Sequence, residues 1–215
     1  MEDTLVLLVG ASGSGKTSVA KELEKIGYNV IQSYTTRQPR YEGEWGHTFI
    51  NNPFISYDNK NEINYIQEGL NPNGKSYWRK NMIAYFNSYN SGHHYFATDE
   101  QVIRGKTNIY IVDSKGAEMV HEFYKDSDVE VITVYLQVDE QERRNRMINR
   151  AIPTLTRFRS GKTYSYQTLL KEVSSRLESD KLLFQVVKCD YVVDGNQSLE
   201  SVVNMVRSII EQEVL

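Results

Sequence analysis

At 215 residues with a net charge of −3 and a pI near 5.9, the chain suits one domain with a substantial core and lacks the general basic character of a protein that coats nucleic acid. Its single cysteine, Cys189, excludes an intramolecular disulfide and a cysteine-built zinc site, which points to a reducing compartment. Glu2 and Asp3 stand where a signal peptide carries positive charge, and the apolar run behind them is far shorter than the ~20 residues of a membrane span, so a soluble cytoplasmic protein is expected, a monomer or homodimer without nucleic-acid or membrane partners.

In chain order, Leu5 to Val9 is a short apolar run that stops at Gly10-Ala11-Ser12-Gly13-Ser14-Gly15-Lys16-Thr17, and Val19, Leu23 and Ile26 follow at i, i+4 and i+7. A strand that stops abruptly, glycines that turn backbone N–H groups toward an anion, and a helix N-terminus facing the same anion together read as a P-loop. Lys16 would reach the β- and γ-phosphates of ATP, the Thr17 hydroxyl would hold Mg²⁺, and Ser18 closes the expected ATP-binding run from Gly10. A glycine-rich turn that fits the pattern by chance is the bland alternative.

Tyr28 to Gln32 reads as a strand that opens into Ser33-Tyr34-Thr35-Thr36-Arg37-Gln38-Pro39-Arg40. Pro39 restricts itself and Gln38 to extended or turn geometry, while Ser33, Arg37 and Arg40 supply a hydroxyl and two guanidiniums suited to phosphate; a solvated loop with ordinary arginines is equally compatible. Residues 41–98 scatter glycines, prolines and aromatics with few periodic runs, as an inserted subdomain of short strands and small helices does.

Ile109 to Asp113 reads as a buried parallel strand ending in a carboxylate, followed by a helix with Ala117, Val120 and Phe123 on one face. Asp113 is then placed either to meet a ligand at a strand end or to cap the helix. Val129 to Val138 is a strand. After it, Arg143, Arg144, Arg146, Arg150, Arg157 and Arg159 make up six of the chain's twelve arginines. The run reads as a solvated helix face or as a lid that neutralises charge in phosphoryl transfer, with Arg146 and Arg150 sharing a face at i, i+4. Tyr164 to Lys188 is helical through Leu169, Leu170, Val173, Leu177 and Phe184, Tyr191 to Asp194 is a last strand, and Leu199, Val202, Val203, Val206, Ile209 and Ile210 stripe a C-terminal helix. Strands alternating with helices predict an α/β fold, a parallel sheet with helices on both faces.

The P-loop, the Ser-x-Thr-Thr-Arg-x-Pro-Arg segment and the Val-Asp-x-x-Gly-Ala strand end occur in that order, and in this combination the chain resembles the guanylate kinase family. The resemblance implies a P-loop NTPase three-layer α/β/α core (1–34, 99–145 and 177–215), a nucleotide-monophosphate-binding subdomain (35–98) and an arginine-bearing lid (146–176). It implies transfer of a phosphoryl group from ATP to GMP, with Mg²⁺. Ser33, Arg37, Arg40 and Tyr95 fall on the family's acceptor-phosphate ligands, Asp113 on an aspartate near the acceptor base, Glu44 on its acidic residue after the Pro-Arg turn, and Arg146, Arg150 and Arg176 on the lid arginines. His47 stands where the family has a tyrosine. The family's guanine-reading glutamate falls near Phe86 and its base-contacting Ser or Thr on Ala97. Glu62 or Glu68, within an insertion over 52–80, is an alternative source of a carboxylate, and the lid is also lengthened over 151–168. A kinase for another phosphorylated acceptor (a deoxynucleotide or phosphosugar) and a non-catalytic binding module stay beside the guanylate kinase reading.

Overall fold

The apolar N-terminal run becomes β1 (Asp3–Val9), the middle strand of a five-stranded parallel sheet. This is a computed structural model, and it describes residues 3–50, 54–57, 63–66, 81–88, 92–155 and 165–213. In chain order β1 is followed by α1 (Lys16–Lys25), β2 (Asn29–Ile31), β3 (Ser33–Thr35), β4 (His47–Phe49), β5 (Phe54–Tyr57), β6 (Ile63–Ile66), β7 (Met82–Ser88) and β8 (His93–Thr98). Then come β9 (Thr107–Ile111), α2 (Ser114–Tyr124), β10 (Val129–Gln137), α3 (Glu140–Leu155), α4 (Tyr166–Leu183), β11 (Tyr191–Asp194) and α5 (Leu199–Glu213).

The main sheet runs β11-β10-β1-β9-β2, and Leu7 of β1 lies opposite both Thr133 of β10 and Tyr110 of β9. With strands on both edges and layers on both faces, Leu5 to Val9 have no exposed surface, which explains why the run is continuously apolar instead of alternating. Val6 and Leu8 face Val19, Ala20 and Leu23 of α1 and Val202, Val203, Val206 and Ile210 of α5. Leu5, Leu7 and Val9 face Ala117, Val120 and Tyr124 of α2 together with Ile83, Ala84 and Ala97 of the smaller sheet. The result is the expected three-layer α/β/α P-loop core.

A four-stranded sheet, β4-β3-β8-β7, occupies the stretch that showed little periodicity. One of its faces buries Phe96, stacked on Tyr34 at 5.1 Å, with Ile50, Met82 and Tyr85 around it. β5 and β6 form a separate antiparallel pair. α3 and α4 pack on each other through Met147, Leu169, Val173 and Leu177. Among the described residues, no helix is long and apolar enough to cross a membrane.

Several expectations are corrected by the way elements end. α1 stops at Lys25, where Gly27 takes φ +104 and its N–H bonds to Glu24 O, so Ile26 lies past the helix and is exposed. β9 stops at Ile111, two residues short of Asp113. On α2 the buried aromatic is Tyr124, not Phe123, which is exposed. α4 is shorter than the 164–188 expectation, with Phe184 as its C-cap, and Leu199 of α5 is exposed.

Candidate functional site

The loop between β1 and α1 depends on two glycines in the left-handed region. Gly15, at φ +98, is the N-cap of α1, and Gly13, at φ +83, lies so close to α3 that an added Cβ would stand 2.8 Å from the Arg143 carbonyl oxygen. Lys16 opens α1. Its Nζ donates to the carbonyl oxygens of Gly10 (2.5 Å) and Ala11 (3.1 Å) and to Ser14 Oγ (3.3 Å). Burial lowers the Lys16 pKa to about 8; the Asp180 and Asp113 charges oppose that shift, and Arg150 and Arg143 reinforce it. Thr17 and Ser18 are exposed in the first turn. Thr17 offers a hydroxyl oxygen next to Lys16, a hard donor that suits Mg²⁺ completed by phosphate oxygens and water. Among the described residues, no group of three or more His, Cys, Asp or Glu could hold a metal on its own.

Across from the loop, the smaller sheet presents the predicted acceptor residues. Ser33 is buried at the start of β3, its Oγ 3.4 Å from the Tyr110 hydroxyl. Arg37 makes a two-pronged pair with Glu44, Nη1 to Oε2 at 2.9 Å and Nη2 to Oε1 at 3.0 Å. Glu44 also accepts from the Arg40 backbone N–H at 2.6 Å and from Arg40 Nη1 at 3.3 Å. The carboxylate thus braces both arginines and fixes the loop that carries them. Although burial acts the other way, bonds from Arg37 and Arg40 hold the Glu44 pKa below the ordinary value. Arg37 Nε and His47 Nδ1 are buried without hydrogen-bond partners among the described residues. Burial, then the Arg37 charge, lowers the His47 pKa.

Asp113 resolves as the cap of α2, its Oδ1 accepting from Gly116 N at 2.7 Å, while it also lines the central cavity. The capping reading is the one observed, and the ligand reading rests on the cavity position alone. The arginine run divides. Arg146 bonds Glu142 (Nε, 2.8 Å) and the Gly195 carbonyl (Nη2, 2.9 Å), and its Nη1 is 3.7 Å from where a Cβ on Gly15 would lie. Partial desolvation, followed by the neighbouring Arg176 charge, lowers the Arg150 pKa. Arg176 of α4 also acts on Arg40, whose pKa is lowered by burial first and then by Arg37. The charge of Arg176 thus acts on both Arg150 and Arg40. Arg157, Arg159, Glu62 and Glu68 lie outside the described residues.

Arg143 is neither a solvated residue nor part of that group. It is buried against Asp180, Nη1 to Oδ2 at 3.0 Å, and Asp180 accepts from Ser12 N at 2.8 Å and Ser12 Oγ at 3.3 Å. This buried pair fastens α3 and α4 to the third residue of the P-loop. Asp180 was not among the residues expected from sequence, though a signal existed: a carboxylate continuing the apolar stripe of Val173 and Leu177 at i+3.

The two halves share a cavity of about 300 Å³. Gly10, Ser12 and Lys16 line it from the P-loop side, and Ser33, His47, Phe86 and Tyr95 from the smaller sheet.

A family model described as an AAA domain matches residues 6–157. No curated protein matches the sequence. Among solved structures, guanylate kinase from Anaplasma phagocytophilum superposes with a TM-score of 0.53 at 16% identity, over 99% of this chain and 86% of that one. The structure described as that of APE1195 gives 0.46 at 15% identity, over 98% and 96% of the two chains, too loose a superposition to carry an argument. At these identities the likeness is one of fold. The chain has a guanylate-kinase-like P-loop fold and belongs to the AAA domain family.

Proposed function

We propose that the protein is an ATP-dependent nucleoside-monophosphate kinase that transfers the γ-phosphoryl group of ATP to GMP. The observation that carries the reading is the shared cavity, bounded by Lys16 on one side and by Ser33, His47 and Tyr95 on the other. Phosphoryl transfer needs positioning and charge neutralisation more than covalent chemistry, and this layout supplies both. Lys16 sits where the terminal phosphates of ATP would lie. Arg37, Arg40 and Tyr95 hold the acceptor phosphate, and Glu44 keeps the two guanidiniums oriented. Arg146, Arg150 and Arg176 spread the charge that develops on the transferring group and exclude water from it. Mg²⁺, held by the Thr17 hydroxyl with phosphate oxygens and water, would neutralise the charge on the β- and γ-phosphates.

A kinase for another phosphorylated acceptor is the second reading, supported by Phe86 and Ala97 on the cavity side of the smaller sheet. A pure binding module has no physical need for a complete ATP phosphate cradle. The test is ADP release from ATP·Mg²⁺ with GMP, dGMP, AMP, CMP, UMP and dTMP, against a control without acceptor. Turnover that depends on a monophosphate supports the kinase reading; ADP release independent of acceptor, or no ATP binding, removes it.

A further inference from the structure

The acceptor side of the cavity is built from rings. In the smaller sheet His47 pairs with Ser33, Thr35 with Tyr95, and Tyr95 with Phe86, so His47, Tyr95 and Phe86 lie on one face across β4, β8 and β7. Their ring centroids are 5.5 Å apart (His47 and Tyr95) and 6.1 Å apart (Tyr95 and Phe86). Phe86 is 46% exposed although it lines the cavity, so its face is open to whatever enters. Behind it, Ala84 and Ala97 are buried and offer no side-chain donor or acceptor. The far wall adds Tyr110, Ile111, Val112 and Phe184.

Three polar groups on the described lining are engaged, whereas His47 Nδ1 has no partner among the described residues. Asp113 Oδ1 caps α2, Asp180 is held by Ser12 and Arg143, and Ser33 Oγ meets the Tyr110 hydroxyl. Burial pushes the Tyr110 pKa up to about 12, which keeps it a neutral phenol. Reading a guanine edge requires a fixed acceptor facing its N1–H and exocyclic amine, and a site built that way discriminates by large factors. An aromatic face instead binds every base, because every base has a π-face.

We infer that this site holds its acceptor by phosphate and by stacking on the His47, Tyr95 and Phe86 bench, and therefore takes nucleoside monophosphates with little regard to the base, GMP being one of several. The inference rests on the reading of this cavity as the acceptor site. Phe86, with its exposed ring on the cavity, is the main stacking residue of that bench.

The experiment measures kcat/KM for GMP, AMP, CMP, UMP and dTMP at saturating ATP·Mg²⁺, with calorimetric binding of the same nucleotides, for the full chain and for Phe86→Ala and Phe86→Trp. The expected result is that wild-type values fall within about tenfold of one another, that Phe86→Ala lowers all of them together by about tenfold, and that Phe86→Trp restores them. A preference for one base of a hundredfold or more in the wild type overturns the inference and assigns base reading to residues outside the described set. A Phe86→Ala effect confined to the KM for ATP overturns it as well. If nothing is phosphorylated yet the five nucleotides bind alike, the kinase reading falls and the base-tolerant site stands; if none binds, both fall.

Discussion

Lys16 is held by three oxygens of its own loop and lines the cavity, so removing its side chain enlarges that cavity and opens no hole in the apolar core. Lys16→Ala is expected to lower phosphoryl transfer by about 10²-fold or more while the melting temperature moves by no more than about 2 °C. Turnover at the wild-type rate would remove the P-loop from the mechanism. Arg37 differs, because its fork is matched to a carboxylate now and to a phosphate in the proposed reaction. Arg37→Ala should raise the acceptor KM by roughly ten- to a hundredfold, the worth of a charge-assisted pair, and leave the KM for ATP unchanged. Arg37→Lys keeps the charge but not the planar fork, so it should recover only part of the loss. Steady-state kinetics with each substrate varied in turn decides this. A collapse of ATP affinity in either variant would mean that the two sides of the cavity are not separate sites.

At the scale of elements, the P-loop does not stand alone on its strand and helix; α3 and α4 are tied to it through Arg143 and Asp180. Asp180→Ala leaves a buried guanidinium without its partner and is expected to cost about 3–5 kcal/mol in urea unfolding, whereas replacing both members by apolar residues of similar size should recover most of that stability. The paired variant should still turn over slowly, since it loses the bond that fixes Ser12. Equal stability of the single and the paired variant would show that the bridge carries no buried-charge penalty. The same elements show what sequence could reveal. β1, β10 and α5 were legible because a buried strand and an amphipathic helix each impose a period. Their ends were less so: the Asp113 side chain turned the last expected strand position into a helix cap, and adjacent Phe123 and Tyr124 both fit the stripe of α2. β3 and β4 were illegible as a pair because three-residue strands carry almost no period, and they meet in parallel across an intervening loop. Of the site, the loop and the arginines were legible by type and spacing; the bracing role of Glu44 and the burial of Arg143 depend on distant partners that no local pattern encodes.

For the molecule as a whole, the smaller sheet that carries the acceptor residues is also where acid should act first. His47 and His94 both have lowered pKa values, chiefly through burial, with Arg37 beside His47 and His93 beside His94. Below the ordinary value of 6.5 the unfolded chain takes up protons that these folded imidazoles do not. The unfolded state then binds more protons, so stability rises with pH and is lost as pH falls from about 7 through that window. Glu44 adds a second, more acidic step. Its folded pKa lies below 4.5, so its contribution is present at neutral pH and is lost as pH drops below 4.5 through the folded value. Melting temperatures recorded from pH 8 to pH 3.5 should therefore fall in two stages. His47→Gln, which removes one titrating ring, should flatten the stage between pH 7 and pH 5 and leave the lower one in place. Glu44→Gln should do the reverse, at a lower starting stability because Arg37 loses its charged partner. A wild-type melting temperature that stayed level between pH 7 and pH 5 would mean that the folded imidazoles take up protons as readily as the unfolded ones, and that burial does not keep His47 and His94 neutral.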